Sequence, residues 1–139
     1  MNIMKLVVPK SMTSFLEEDC TLRQGLEKMR YHGYTAIPVL NSEGEYVGTL
    51  SEGDFLWSMV DRDDFSMRAQ EDVRISEILK HDALPPLRID AGMAQIVMDI
   101  MERNFAPVVD DRNKFVGIVT RRDVLRYLSD SYFRVNDTL

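Results

Sequence analysis

Two stretches of this chain follow one pattern, and a pattern repeated at fixed spacing constrains a fold more tightly than any local propensity. Gly33 to Leu56 reads GYTAIPVLNSEGEYVGTLSEGDFL, and Arg103 to Leu125 reads RNFAPVVDDRNKFVGIVTRRDVL. Pro38 and Pro107, Gly48 and Gly117, Ser51 and Thr120, and Asp54 and Asp123 each stand 69 positions apart. Two similar units are therefore expected to pack against one another.

Each copy predicts the same element order. Leu22, Leu26 and Met29 fall at i, i+4 and i+7, one apolar face of a helix, and Met93, Val97 and Ile100 do the same. A short strand follows, Ala36 to Leu40 or Ala106 to Val109. The turn after it carries Gly44 in one copy and Asn113 in the other, residues that accept positive φ. A second strand, Tyr46 to Leu50 or Phe115 to Val119, leads into a helix starting at Ser51 or Thr120. A β-α-β-β-α unit alone leaves one sheet face and two helix stripes bare, and a second unit covers them. The expected class is α+β, two such units packed as a pseudo-two-fold pair. We place repeat 1 at residues 1–60, an acidic, partly helical connector at 61–74, repeat 2 at 75–130 and a C-terminal tail at 131–139. Tyr132, Phe133 and Val135 of the tail are expected to cover a core edge.

Composition narrows the function. A net charge of −6 disfavours general binding to nucleic acid or acidic membranes. Cys20 is the sole cysteine, which leaves no disulfide and no thiolate metal cage, and fits a reducing cytoplasm. His32 and His81 stand apart from any metal-ligand spacing. No segment approaches the roughly 20 apolar residues of a membrane span, and the first residues do not read as a signal peptide. No nucleophile–base pair or P-loop is evident, so an enzyme is not expected.

The chemistry concentrates where the second strand turns into a helix, at Ser51-Glu52-Gly53-Asp54 and Thr120-Arg121-Arg122-Asp123. A hydroxyl followed three residues on by an acid is a capping pattern, and capping alone would explain it. The same helix start presents free N–H groups that suit a phosphate. An aspartate one turn in can accept from a ribose diol, and arginines are strong phosphate donors. The two readings are compatible.

From Asp19-Cys20-Thr21-Leu22 through Met29, Gly33, Ile37-Pro38-Val39, Gly44 and Gly48 to Asp54, the chain resembles a CBS repeat; the set ending Gly-Ile-Val-Thr-Arg-Arg-Asp resembles another. The resemblance covers roughly Val7 to Leu128 and implies a tandem CBS pair (a Bateman module) with two clefts for AMP, ADP, ATP or S-adenosylmethionine. It implies ribose contacts for Asp54 and Asp123, and phosphate contacts for Ser51 and Thr120; Arg121 and Arg122 add charged donors, but they point in different directions on a helix, so both are not expected to touch phosphate directly. It implies adenine contacts for the turns at Tyr34, Ala36 and Ile37 and at Asn104, Phe105 and Ala106. Met12-Thr13 and the segment from Ala83 through Pro85 to Pro86 would close over the base. Gly33-Tyr34-Thr35-Ala36-Ile37-Pro38-Val39-Leu40 together with Gly-Ile-Val-Thr-Arg-Arg is further similar to small Gram-positive CBS proteins that bind cyclic di-AMP. The leading expectation is a non-catalytic adenine-nucleotide sensor, homodimeric, that modulates a protein partner. The alternatives are a cyclic di-AMP receptor and a ligand-free interaction module.

The copies are unequal. Asp19 to Pro38 spans 19 positions and Asp90 to Pro107 only 17, so the second helix or its following loop is shorter, and the glycine after it is missing. Glu52 and Gly53 stand where Arg121 and Arg122 stand, so the second cleft is expected to favour the more anionic ligand. Lys10 or His32 would offset Glu52 in the first.

Overall fold

The structure, a computed structural model, describes residues 2–80 and 84–136. Its regular elements are β1 (Val8–Pro9), β2 (Leu16–Glu17), α1 (Leu22–His32), β3 (Ala36–Leu40), β4 (Tyr46–Ser51), α2 (Glu52–Arg62), α3 (Met67–Asp72), β5 (Leu87–Arg88), α4 (Met93–Ile100), β6 (Phe105–Val109), β7 (Phe115–Thr120) and α5 (Arg121–Asn136). Each repeat thus runs β-α-β-β-α in an α+β arrangement. The chain divides into two compact units: Ser14–Pro85, and the residues up to Thr13 together with those from Pro86 onward.

In Ser14–Pro85, β2, β3 and β4 form a sheet in that order, β2 parallel and β4 antiparallel to β3. Thr21 starts α1 with a capping box: its hydroxyl accepts from the Gln24 amide at 3.1 Å, and its own amide donates to Gln24 Oε1 at 2.9 Å. The helix stripe read from the sequence then turns inward, with Leu22 and Met29 buried and Leu26 packed beside Ile37, Val39, Leu50 and Phe55. Ile75, fully buried, completes this core. Its segment is stitched to the first repeat by the backbone: the Ile75 amide donates to the Cys20 carbonyl, that of Ser76 to Glu18, and that of Leu22 to Val73.

The other unit holds a sheet ordered β1-β7-β6-β5. Ile3 and Leu6, from the start of the chain, share a core with Ile96, Ala106, Val108, Val119 and Val124. β1 pairs antiparallel with β7, Val8 opposite Ile118 and Pro9 opposite Gly117. Gly117 sits at φ 154°, and a Cβ there would run into the Val8 carbonyl oxygen, so this pairing requires glycine. The segment ahead of each repeat therefore completes the core of the other repeat's unit, and the compact units cut the chain at different places from the repeat boundaries at 60/61 and 74/75.

The copies differ where the spacing differs. α1 has 11 residues and α4 has 8. α5 runs on as a helix to Asn136, so Tyr132 and Phe133 do not cover a core edge of their unit. Its length, about 24 Å at 1.5 Å per residue, carries Tyr132 and Phe133 out to 61% and 60% exposure.

Candidate functional site

Proline has no N–H to give, so within a sheet it belongs where a strand lacks a partner. β2 pairs only with Val39 and Leu40, and β5 only with Val108 and Val109. The stretches of β3 and β6 around Pro38 and Pro107 are consequently open on that side. Strand alternation aims the backbone groups of Ala36 and Phe105 out of these open edges, the same side on which the Leu40 and Val109 carbonyls accept from Glu18 and Ile89. Ile37 and Ala106, by contrast, are fully buried with their side chains in the two cores. Tyr34 stacks on His32, ring centres 5.4 Å apart, just ahead of β3.

Behind each edge, the strand-to-helix turn repeats almost atom for atom. The Glu52 amide donates to the Thr35 carbonyl at 2.9 Å, and the Arg121 amide to the Asn104 carbonyl at 2.8 Å. The Ser51 hydroxyl accepts from the Asp54 amide at 3.3 Å, and that of Thr120 from the Asp123 amide at 3.1 Å. The capping reading is therefore realised in both copies. The carboxylates differ. Asp54 is occupied, its Oδ2 accepting from the Ser51 amide at 2.8 Å and its Oδ1 paired with Lys80 Nζ at 3.3 Å. The Asp123 carboxylate has no hydrogen-bond or ion-pair partner among the described residues.

The arginines also separate. Arg121 Nε donates to the Ile100 carbonyl at 2.7 Å, closing the last turn of α4. That is the helix without a glycine after it, whereas α1 ends in Gly33 and Tyr34 amides that donate to Arg30 and Met29 carbonyls. Arg121 is thus held in place by the shortened helix, and Arg122 is exposed.

Two recesses of Ser14–Pro85 lie beside this machinery. One, about 360 Å³, is lined by Asp54, Trp57, Ser58, Asp61, Arg62, Glu77, Ile78 and Lys80. The other, about 400 Å³ and mostly apolar, lies between α1 and α2 with Leu26, Met29, Phe55, Leu56 and Met59 on its walls. Within the Ser14–Pro85 unit the charge opposite Asp54 comes from Lys80, and His32 does not line the Asp54 recess. Lys80 is 63% exposed and Asp54 18%, so their pair contributes at most about 1 kcal/mol to stability. Sequence reasoning missed Lys80 because position 80 reads as part of repeat 2.

Met12 and Thr13 close a short 3-10 turn against β7, in the unit of Thr120 and Asp123, and Met12 is 76% exposed. Pro85 is exposed at the end of the Asp54 unit; Ala83 and His81 lie outside the described residues. Burial, reinforced by the charge of Asp19, pushes the Cys20 thiol up from its ordinary range, away from a reactive thiolate. Among the described residues no cluster of metal-ligating side chains forms, and no helix is long and apolar enough to cross a membrane.

The family model described as CBS domain matches residues 7–61 and again 75–130. This chain belongs to the CBS-domain family. The CBS pair is 30% identical over 117 residues to an uncharacterised protein of Methanocaldococcus jannaschii, covering 78% of this chain and 41% of that one. It is 28% identical over 97 residues to cyclic di-AMP receptor B of Bacillus subtilis, covering 70% of this chain and 65% of the relative. The chain spans half or less, 49% and 41%, of the length of two archaeal relatives it matches. In fold, the CBS pair is similar to CbpB in complex with c-di-AMP, with a TM-score of 0.90 at 21% identity, over 100% of this chain and 91% of the other.

Proposed function

We propose that this CBS pair is a non-catalytic receptor for cyclic di-AMP, which alters the contacts of the protein with a regulated partner. The observation that carries the reading is its 28% identity to a protein named for that ligand. This favours the dinucleotide over AMP, ADP or ATP, which the sequence had put first. The site chemistry supports it too. A cyclic dinucleotide carries two phosphodiesters, and the Thr120 turn offers one anchored guanidinium, one exposed guanidinium and an unengaged carboxylate. In this reading Asp123 takes a ribose hydroxyl, Thr120 and the arginines take phosphate, and the open edges of β3 and β6 offer backbone groups to adenine. We further propose that the protein works as a homodimer built on α2 and α5.

Calorimetry with cyclic di-AMP, AMP and ATP tests the ligand. Cyclic di-AMP is expected to bind most tightly. Arg122→Ala and Asp123→Ala should each weaken it by about 1.5–3 kcal/mol, roughly 10- to 150-fold. Arg122→Ala should leave thermal stability unchanged, because its side chain is exposed. Tighter binding of a mononucleotide would return the reading to an AMP or ATP sensor, and silence with all three would leave an interaction module.

A mononucleotide reading has support at the first repeat. Asp54, Ser51 and Lys80, the cation paired with Asp54, suit one phosphate rather than two.

A further inference from the structure

The recess at Asp54 is acidic. Among the described residues, Asp54, Asp61 and Glu77 line it against Lys80 and Arg62. Glu52, at the position of Arg121, adds another negative charge to the start of α2. A phosphate entering such a recess meets repulsion unless a cation is brought to it. Lys80 is the cation already there, 3.3 Å from Asp54 Oδ1, on a flexible stem that is 63% exposed. Two further features make the recess fit for a nucleotide. Trp57 on its wall is 57% exposed, a free aromatic face on which a base can stack. Ser58, one turn beyond Asp54, has its Oγ buried with no hydrogen-bond partner among the described residues, and a buried hydroxyl without a partner is a group that a ligand atom or a bound water would satisfy.

We propose that Lys80 determines specificity at the Asp54 recess by changing partner. In the free protein its ammonium holds the Asp54 carboxylate. An adenine mononucleotide takes that carboxylate with its ribose hydroxyls and receives Lys80 on its phosphate. Adenosine, which has no phosphate, displaces Lys80 and gives it nothing in return. The exchange discriminates charged from neutral nucleosides at the repeat whose own helix start carries Glu52 instead of an arginine. This rests on the reading of Asp54 as a nucleotide-binding residue.

Trp57 is the only tryptophan of the chain and lines this recess, so its fluorescence reports binding there. Wild type, Lys80→Met, Lys80→Arg and Asp54→Ala are titrated with AMP and with adenosine. Lys80→Met is expected to weaken AMP about 10-fold or more, and to leave adenosine unchanged or bound slightly more tightly, since its competitor for Asp54 is gone. Lys80→Arg should restore the preference for AMP. If Lys80→Met binds both compounds with the wild-type ratio, Lys80 is a surface lysine and the exchange is wrong, while Asp54 remains a nucleotide residue. If neither compound changes Trp57 in the wild type, the nucleotide reading of Asp54 fails and the exchange with it.

Discussion

Gly117 and Gly48 hold the same place in the two copies, yet they are glycine for reasons of very different strength. A methyl group on Gly117 meets backbone, the Val8 carbonyl, at a φ that other residues rarely adopt. On Gly48 it meets only the Cδ2 end of Leu79, a flexible side chain that can move aside. Gly117→Ala is therefore expected to cost at least about 2 kcal/mol, and Gly48→Ala less than about 1 kcal/mol, compared by denaturant unfolding. Equal losses would mean that β1 does not hold its register on β7. The sequence shows two matching glycines and cannot rank them, since the atoms that do so lie more than 100 positions from Gly117 and 31 positions from Gly48. The functional residues divide in the same way. Ser51, Asp54, Thr120 and Asp123 could be found from their spacing, because caps and phosphate sites use local geometry. Lys80 could not, because it reaches Asp54 only through the exchange of segments.

At the level of elements, the two β-turns are one structure built from different chemistry. Asn41 Oδ1 accepts from the Glu43 and Glu45 amides at 3.0 and 2.9 Å; Asp110 Oδ1, 69 positions on, accepts from the Arg112 and Lys114 amides at 2.8 and 2.9 Å. Gly44 and Asn113 supply the positive φ, 77° and 63°, as their residue types imply. The Lys114 amide, with help from that of Arg112, holds the Asp110 carboxyl below its ordinary value. A depressed folded value means that this contribution is complete above the ordinary aspartate pKa near 4. It is lost as pH falls through the lower folded value. The second turn should loosen in acid. In a carboxyl-detected NMR titration Asp110 should show a midpoint below that of an ordinary aspartate, and Asp110→Asn should remove the acid sensitivity of neighbouring amides. A midpoint at the ordinary value would show that the turn does not depend on the charge. The bounds of β3, β4, β6 and β7 and the starts of α2 and α5 were legible here to within a residue or two, since their patterns are local, whereas β1, β2 and β5, two residues each, are too short to show an alternation. The length of α5 was not legible either: Ser129 to Arg134 are exposed and leave no periodic trace.

For the whole molecule, the exposed apolar residues Leu56 and Val60 on α2, and Leu125 on α5, support the proposed dimer. Sedimentation at tens of micromolar should give a species of twice 16.1 kDa, reduced to the monomer by Leu125→Asp. A wild-type monomer under those conditions would remove the proposal. The paired repeats and their α+β class follow from the 69-residue offset, but which segment completes which core does not, because Ile3 and Ile75 look alike as isolated apolar residues. That exchange has a consequence for how the protein is made. The Ser14–Pro85 unit is one continuous stretch and can close soon after it leaves the ribosome. β1 precedes it and pairs with β7, roughly 110 positions downstream, a delay of about 5–20 s at ordinary rates of translation. During that interval Ile3, Leu6 and Val7 have no core to enter, and one half of the protein stands finished between the two ends of the other.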